Sequence, residues 1–214
     1  TDDHGLHLIG YMEKNGKGQS HKTSVNNHPL LLVGAGLAGH TGGFTIEETK
    51  FDQVLGFDLK SPQGIYSLNF HYFITDQVSI GGLAQYELVP ANMKVFFKDV
   101  SGDGTYDDFL VMGTAGWWSG DEASRRRWFG MLAFGLSYVN VIFNYPDLDN
   151  PDNGQVYRSA KQYTQAAMQA STGLLWRWGS RYHAGLVASF RVEAVIEDAW
   201  TLHYSLTGVA GISF

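Results

Sequence analysis

The chain contains no cysteine, which excludes both a disulfide framework and a thiolate metal site. It has no run of about 18 apolar residues, so no helix of the usual kind crosses a membrane. Proline is scarce, with 5 in 214 residues, so few positions deprive a β-ladder of a donor. Charged residues make up 17%, below the roughly 25% usual in soluble domains. The net charge of −6 leaves no broad basic surface and excludes nucleic acid as an expected partner. What the chain has in quantity is glycine, at 26 residues, and aromatics, at 14%, a mixture suited to closely packed strands. Its mean hydropathy of −0.16 suits a soluble protein, but it suits equally a membrane barrel in which only alternate residues meet lipid. Thr1-Asp2-Asp3-His4 reads as the start of a mature chain after leader removal.

The last segment carries the clearest pattern. From Trp200 to Phe214, one face takes Trp200, Leu202, Tyr204, Leu206, Gly208, Ala210, Ile212 and Phe214. The other takes Thr201, His203, Ser205, Thr207, Val209, Gly211 and Ser213. Alternation this long exceeds the usual soluble strand of about 5–6 residues and fits a tilted span of a bilayer. Residues 182–196 repeat it. Tyr182, Leu186, Phe190 and Val192 lie on one side, and His183, Val187, Arg191 and Glu193 on the other. A lipid-facing Arg costs roughly 2–4 kcal/mol at mid-membrane, so Arg191 and Glu193 are expected to point into the lumen.

Further strands are expected at 30–40, 64–74, 78–89, 106–118, 128–143 and 163–178, the fourth and fifth of these with the least certain phase. The connections alternate: short at 75–77, 120–126 and 179–181, long at 41–63, 90–105 and 144–161, with 197–199 a short exception. Short turns on one side and long loops on the other are the habit of outer-membrane barrels, the short side being periplasmic. The expected fold is an all-β, antiparallel up-and-down transmembrane β-barrel of eight strands over residues 29–214, integral to a bacterial outer membrane. A strand near Phe44–Phe57 and another in the prefix would make ten, but Glu47, Glu48 and Lys50 spoil the former as a membrane span. Residues 1–28 are expected to form a periplasmic or lumen-inserted extension. Its histidines lack any fixed metal-ligand spacing. Trp117, Trp118, Trp128, Trp176, Trp178, Tyr182 and Phe214 fall near the short-turn ends as one aromatic girdle, with Tyr86, Tyr138, Phe143 and Trp200 at the other interface. A soluble barrel would reverse the faces, with large residues inside.

With the strands placed, particular residues resemble the OmpW family of small outer-membrane channels. Tyr72-Phe73-Ile74-Thr75-Asp76 resembles that family's first turn. Gly120-Asp121 followed by a basic stretch and then Gly135-Leu136-Ser137-Tyr138 is similar to its second hairpin. Asp198-Ala199-Trp200, leading to Phe214, is similar to the start and end of its last strand. Ala199 stands where the family has Pro. The resemblance implies passive uptake of small hydrophobic molecules, with lateral exit through the barrel wall. It also implies outer-membrane lipid and lipopolysaccharide as surroundings, and recognition of Phe214 by the barrel-assembly machinery.

The residues give partial support to such a path. An inner lining of Leu83, Val89, Phe129, Met131, Ser137, Val139 and Val187, with Arg191 and Glu193, could bind an apolar molecule, although an eight-stranded lumen is almost filled by side chains. Pro90 ends a strand where the wall could part as a lateral gate, or is a plain strand end. Asp99, Ser101, Asp103, Thr105 and Asp107 resemble the first half of a calcium loop. Leu110 stands where the bidentate Glu belongs, and an acidic Gly-rich turn is the plainer alternative. No other cofactor is expected. His183 with Ser189, and His203 with Ser205, share inner faces, but no triad and no Gly-x-Ser-x-Gly can be assembled, so no enzyme is expected. The alternative to uptake is a structural or adhesion barrel acting through its extracellular loops, and a lipid-modifying enzyme ranks below both.

Overall fold

In the computed structural model, the described residues are 29–41, 43–48, 53–59, 63–95, 101–120, 124–147, 150–195 and 199–214. The expected extension 1–28 and Asp99 lie outside them. The strands are β1 (Pro29–Thr41), β2 (Gly43–Glu48), β3 (Gln53–Leu59), β4 (Gln63–Thr75), β5 (Val78–Val95), β6 (Ser101–Trp118), β7 (Arg126–Pro146), β8 (Val156–Trp178), β9 (Tyr182–Val195) and β10 (Ala199–Ser213). Eight of these pair antiparallel in sequence order to form a closed ring. β1 pairs with both β4 and β10, and the β5–β6 ladder completes the circle. Closure pairs every ring strand with two neighbours, which is how strands span hydrocarbon. β2 and β3 form a hairpin outside the ring, with β3 pairing to Ala91–Val95 of β5.

Period-2 alternation decides which way each residue faces. Outward stand Val33 and Leu37, Leu68 and Phe70, Ile80 and Leu88, Phe109 and Val111, Leu132 and Phe134, Leu186 and Phe190, and Leu206. Trp117, Trp128, Trp178, Tyr182 and Phe214 are exposed at the short-turn end, and Tyr86 and Tyr138 at the other. From Trp128 to Tyr138, ten residues at about 3.3 Å, tilted about 40°, rise about 25 Å, the height of an outer-membrane apolar band. A closed ring wearing such a belt is an integral outer-membrane barrel.

Several expectations are corrected. Trp118 is 1% exposed and points inward, as does Phe143. Both follow the unbroken alternation of their strands, in which Trp117 and Ile142 take the outer positions. The expected long loops at 90–105 and 144–161 are largely strand. β5 and β6 stay paired out to Lys94↔Ser101, and β7 and β8 out to Pro146↔Val156. Beyond the lipid a strand needs no apolar face, so polarity there does not signal a loop. The pairing Pro90↔Thr105 is continuous with its neighbours, so the wall does not part at Pro90 and the lateral gate is not found there. Ser101, Asp103, Thr105 and Asp107 lie within β6. Alternate residues of a strand are spread over about 6.6 Å steps and cannot wrap a cation, so the calcium loop is not formed.

Candidate functional site

The lumen is filled by two layers. The outer layer centres on Arg191, which β9 turns inward between Phe190 and Val192. Its Nη2 donates to Asp108 Oδ2 at 2.5 Å and Glu87 Oε2 at 3.3 Å, and Nε lies 2.9 Å from Glu193 Oε1. Nη1 donates to Gln85 Oε1 at 3.4 Å. Nη2 also reaches His203 Nδ1 at 2.8 Å. His203 Nε2 stands 3.2 Å from Glu193 Oε2.

Other strands add partners. Ser137 donates to Asp108 Oδ1 at 2.6 Å, and Gln165 and Tyr106 both donate to Glu193 Oε2, at 2.9 and 3.2 Å. His40 Nε2 stands 3.4 Å from Glu87 Oε2, and its ring meets His203 edge-on at 4.1 Å. Seven of the eight ring strands, all but β4, thus meet at one buried cluster. Hydrogen bonds to charged groups are the stronger class. The close pairing of opposite charges is what makes so many buried ions tolerable.

His40, Glu87 and His203, and likewise Asp108, Glu193 and His203, bring ligand atoms within 4.8 Å of one another. Such donor sets suit a divalent cation. Here the Arg191 guanidinium stands among those same atoms and supplies the positive charge.

The inner layer closes the periplasmic end. Trp118 stacks on Phe129 at 4.6 Å, with His71 edge-on at 5.1 Å and Phe73 tilted at 5.1 Å. The indole N–H donates to Ser79 Oγ at 2.8 Å. Arg127 lies over the Phe73 and Trp118 rings at 5.1 and 5.2 Å, a cation–π arrangement, while donating to the carbonyls of Ser119 and Asp76. Gly173 of β8 faces the Phe129 ring, which occupies the space a Cβ would need. Between the layers lie Leu83, Leu110, Met112, Met131 and Val187, all buried in one cluster.

The structure places Leu83, Phe129, Met131, Val187, Ser137, Arg191 and Glu193 in the lumen, with Val89 and Val139 buried near its outer end. Leu83, Phe129, Met131 and Val187 come together, and Arg191, Glu193 and Ser137 join the polar layer instead. Sequence reasoning did not single out Glu87 and Asp108 as partners of Arg191, or His40 and Tyr106 as partners of Glu87 and Glu193. The available signal was electrostatic: a carboxylate inside a membrane strand must turn inward and find a cation. His183 lies 3.4 Å from Ser213 Oγ, and Ser189 accepts from Ser171 at 3.0 Å.

No protein-family model matches the sequence, and no curated protein matches it. Among solved structures it is similar to the outer membrane protein OprG from Pseudomonas aeruginosa, at 10% identity and TM-score 0.56, over 88% of this chain and 96% of that one. It is similar to Neisserial surface protein A at 12% and 0.53, over 87% and 97%. Ail, the attachment invasion locus protein of Yersinia pestis, aligns at 12% and 0.49, over 88% and 99%. At such identities the likeness is one of fold, that of a small outer-membrane barrel with eight strands in its ring.

Proposed function

We propose that this chain is a sealed outer-membrane barrel that acts at the cell surface, through the sheet it raises above the membrane, rather than as a conduit or an enzyme. The observation that carries this reading is the filling of the lumen in two successive layers. Arg191, Glu87, Glu193 and His203 are buried in one, and Trp118 and Phe129 in the other. Small eight-stranded barrels leave an interior that side chains just fill. Lipid is the partner of the outer belt, and Phe214, exposed at the end of the last strand, is the contact for assembly machinery. His203, which would be needed as a base, is engaged with Arg191 and Glu193.

The resemblance to OmpW channels, and the uptake it implies, is the competing reading. The apolar cluster between the layers supports it, since an apolar guest would rest there once a layer opened. Proteoliposomes separate the two. Vesicles carrying the protein are expected to show ion conductance, and entry of a small apolar dye and a small polar dye, at the rates of protein-free vesicles. Protein-dependent entry of the apolar dye would overturn the sealed barrel and restore uptake.

A further inference from the structure

β8 outreaches one of its neighbours. It pairs with β7 from Val156↔Pro146 down to Trp176↔Arg126, but with β9 only from Ala167↔Glu193 to Trp178↔Tyr182. Val156–Ala166 therefore has, among the described residues, no strand on its β9 side. The backbone parity is fixed by the turns. Arg177 N donates to Arg125 O, and Asp147 N to Gln155 O. Odd-numbered residues of β8 thus bond to β7, in a register without shifts. The even-numbered residues, Val156, Arg158, Ala160, Gln162, Thr164 and Ala166, aim their N–H and C=O groups at the open side. All six are exposed, Val156 at 69%. Thr164 pairs with Tyr138 at the top of the lipid belt, so the edge from Thr164 to Val156, about 26 Å long, rises from the membrane surface outward.

Natural sheets protect such an edge with proline, a bulge, short length or charge. Between 156 and 166 there is no proline or glycine, and the register shows no bulge. Charge is the device present, and it has one sign: Arg158 and Lys161, with no acidic residue. In a chain of net charge −6, this segment stands apart. Two copies in one membrane share an orientation, so their β8 edges would run parallel and set cation against cation.

We infer that the β8 edge is a strand-addition site for an extended, acidic peptide segment of a partner protein. This inference rests on the surface role proposed above and names the partner class for it. The added strand would run antiparallel to β8 and away from the membrane, continuing the line of β9. Its backbone would satisfy the even-numbered groups, and its carboxylates would meet Arg158, which is exposed on the outer face. Main-chain bonds supply affinity in this mode, and side-chain charge supplies selection.

The test uses the whole chain in proteoliposomes and two synthetic twelve-residue peptides, one alternating Glu with Thr and Val, the other with Lys in place of Glu. The acidic peptide is expected to bind saturably, by fluorescence anisotropy, and to slow amide exchange at the even-numbered positions of 156–166 at least tenfold. Gln162→Pro removes an open-side N–H and no β7 bond, and proline is tolerated at such edge positions, so it is expected to fold and to weaken binding at least tenfold. Arg158→Glu, which leaves every backbone bond in place, is expected to weaken the acidic peptide and admit the Lys peptide. Equal binding of both peptides, or no effect of either variant, overturns the inference. So does a self-associated protein that Gln162→Pro converts to monomer, because the edge is then taken by a second copy. The same vesicles are assayed for dye entry. Tight vesicles without peptide binding overturn the strand-addition site alone, whereas leaky vesicles overturn the sealed-barrel reading itself.

Discussion

Removing the Arg191 guanidinium would leave Glu87, Asp108 and Glu193 facing one another in a space closed to water. Truncating one partner of a buried ion pair costs about 3–5 kcal/mol, chiefly through the uncompensated charge left behind. Arg191→Met is therefore expected to lose about that much unfolding free energy, measured by denaturant titration in lipid or detergent. Arg191→Lys should fall between the two, keeping the charge but losing the fork that reaches several acceptors at once. If the guanidinium occupies the place of a cation, Arg191→Ser should gain stability on adding zinc while the parent does not. Equal response of the two proteins would refute that description of the cluster. Trp118 makes a second residue-scale case. Trp118→Phe keeps the stack on Phe129 and loses the bond to Ser79 Oγ, a loss of about 1 kcal/mol. Trp118→Ala forfeits the packing as well and should cost about 3–5 kcal/mol.

At the scale of the strand, backbone parity separates positions that look alike in composition. In β8, Ser159 directs its N–H to β7, while Ala160 directs its own to the open side. Ser159→Pro is expected to break the β7 ladder and cost about 3 kcal/mol, and Ala160→Pro to cost well under half of that. Thermal unfolding of the two variants decides the matter, and equal losses would mean the open edge is covered. The sequence makes the strands and most of their faces legible because lipid imposes alternation. Leu186, Phe190 and Leu206 must look outward, so Val187, Arg191 and Thr207 look inward. Where lipid stops, that signal stops too, and so the upper halves of β5 to β8 read as loops. β6 was ambiguous for another reason. Its inner face holds Leu110, Met112 and Trp118, as apolar as its outer face, because it supplies part of the inner layer. Arg191 and Glu193 were legible as inward charges. Their partners lie on β5, β6, β8 and β10, and which strands face β9 across a barrel depends on closure, not on local pattern.

For the whole molecule, the two layers act in series. A solute crossing the lumen must pass both the Arg191 cluster and the Trp118–Phe129–Arg127 cap, so opening one leaves the other in its way. The two differ in what they exclude. The inner cap is aromatic and would admit an apolar molecule if its rings were removed. The outer cluster is charged and charges an apolar solute the desolvation of its buried ions. The double variant Trp118→Ala with Phe129→Ala is therefore expected to lose stability without conducting ions or passing the apolar dye. The two truncations remove rings that touch each other, so their costs should not add. The same double variant should, however, admit the apolar dye from the periplasmic face as far as the cluster of Leu83, Met112, Met131 and Val187. Quenching or a shift in dye emission on binding reports that, and the parent protein should show none. Full passage of the dye through the double variant would mean that the Arg191 cluster does not close the outer end, and that one aromatic cap alone seals this barrel.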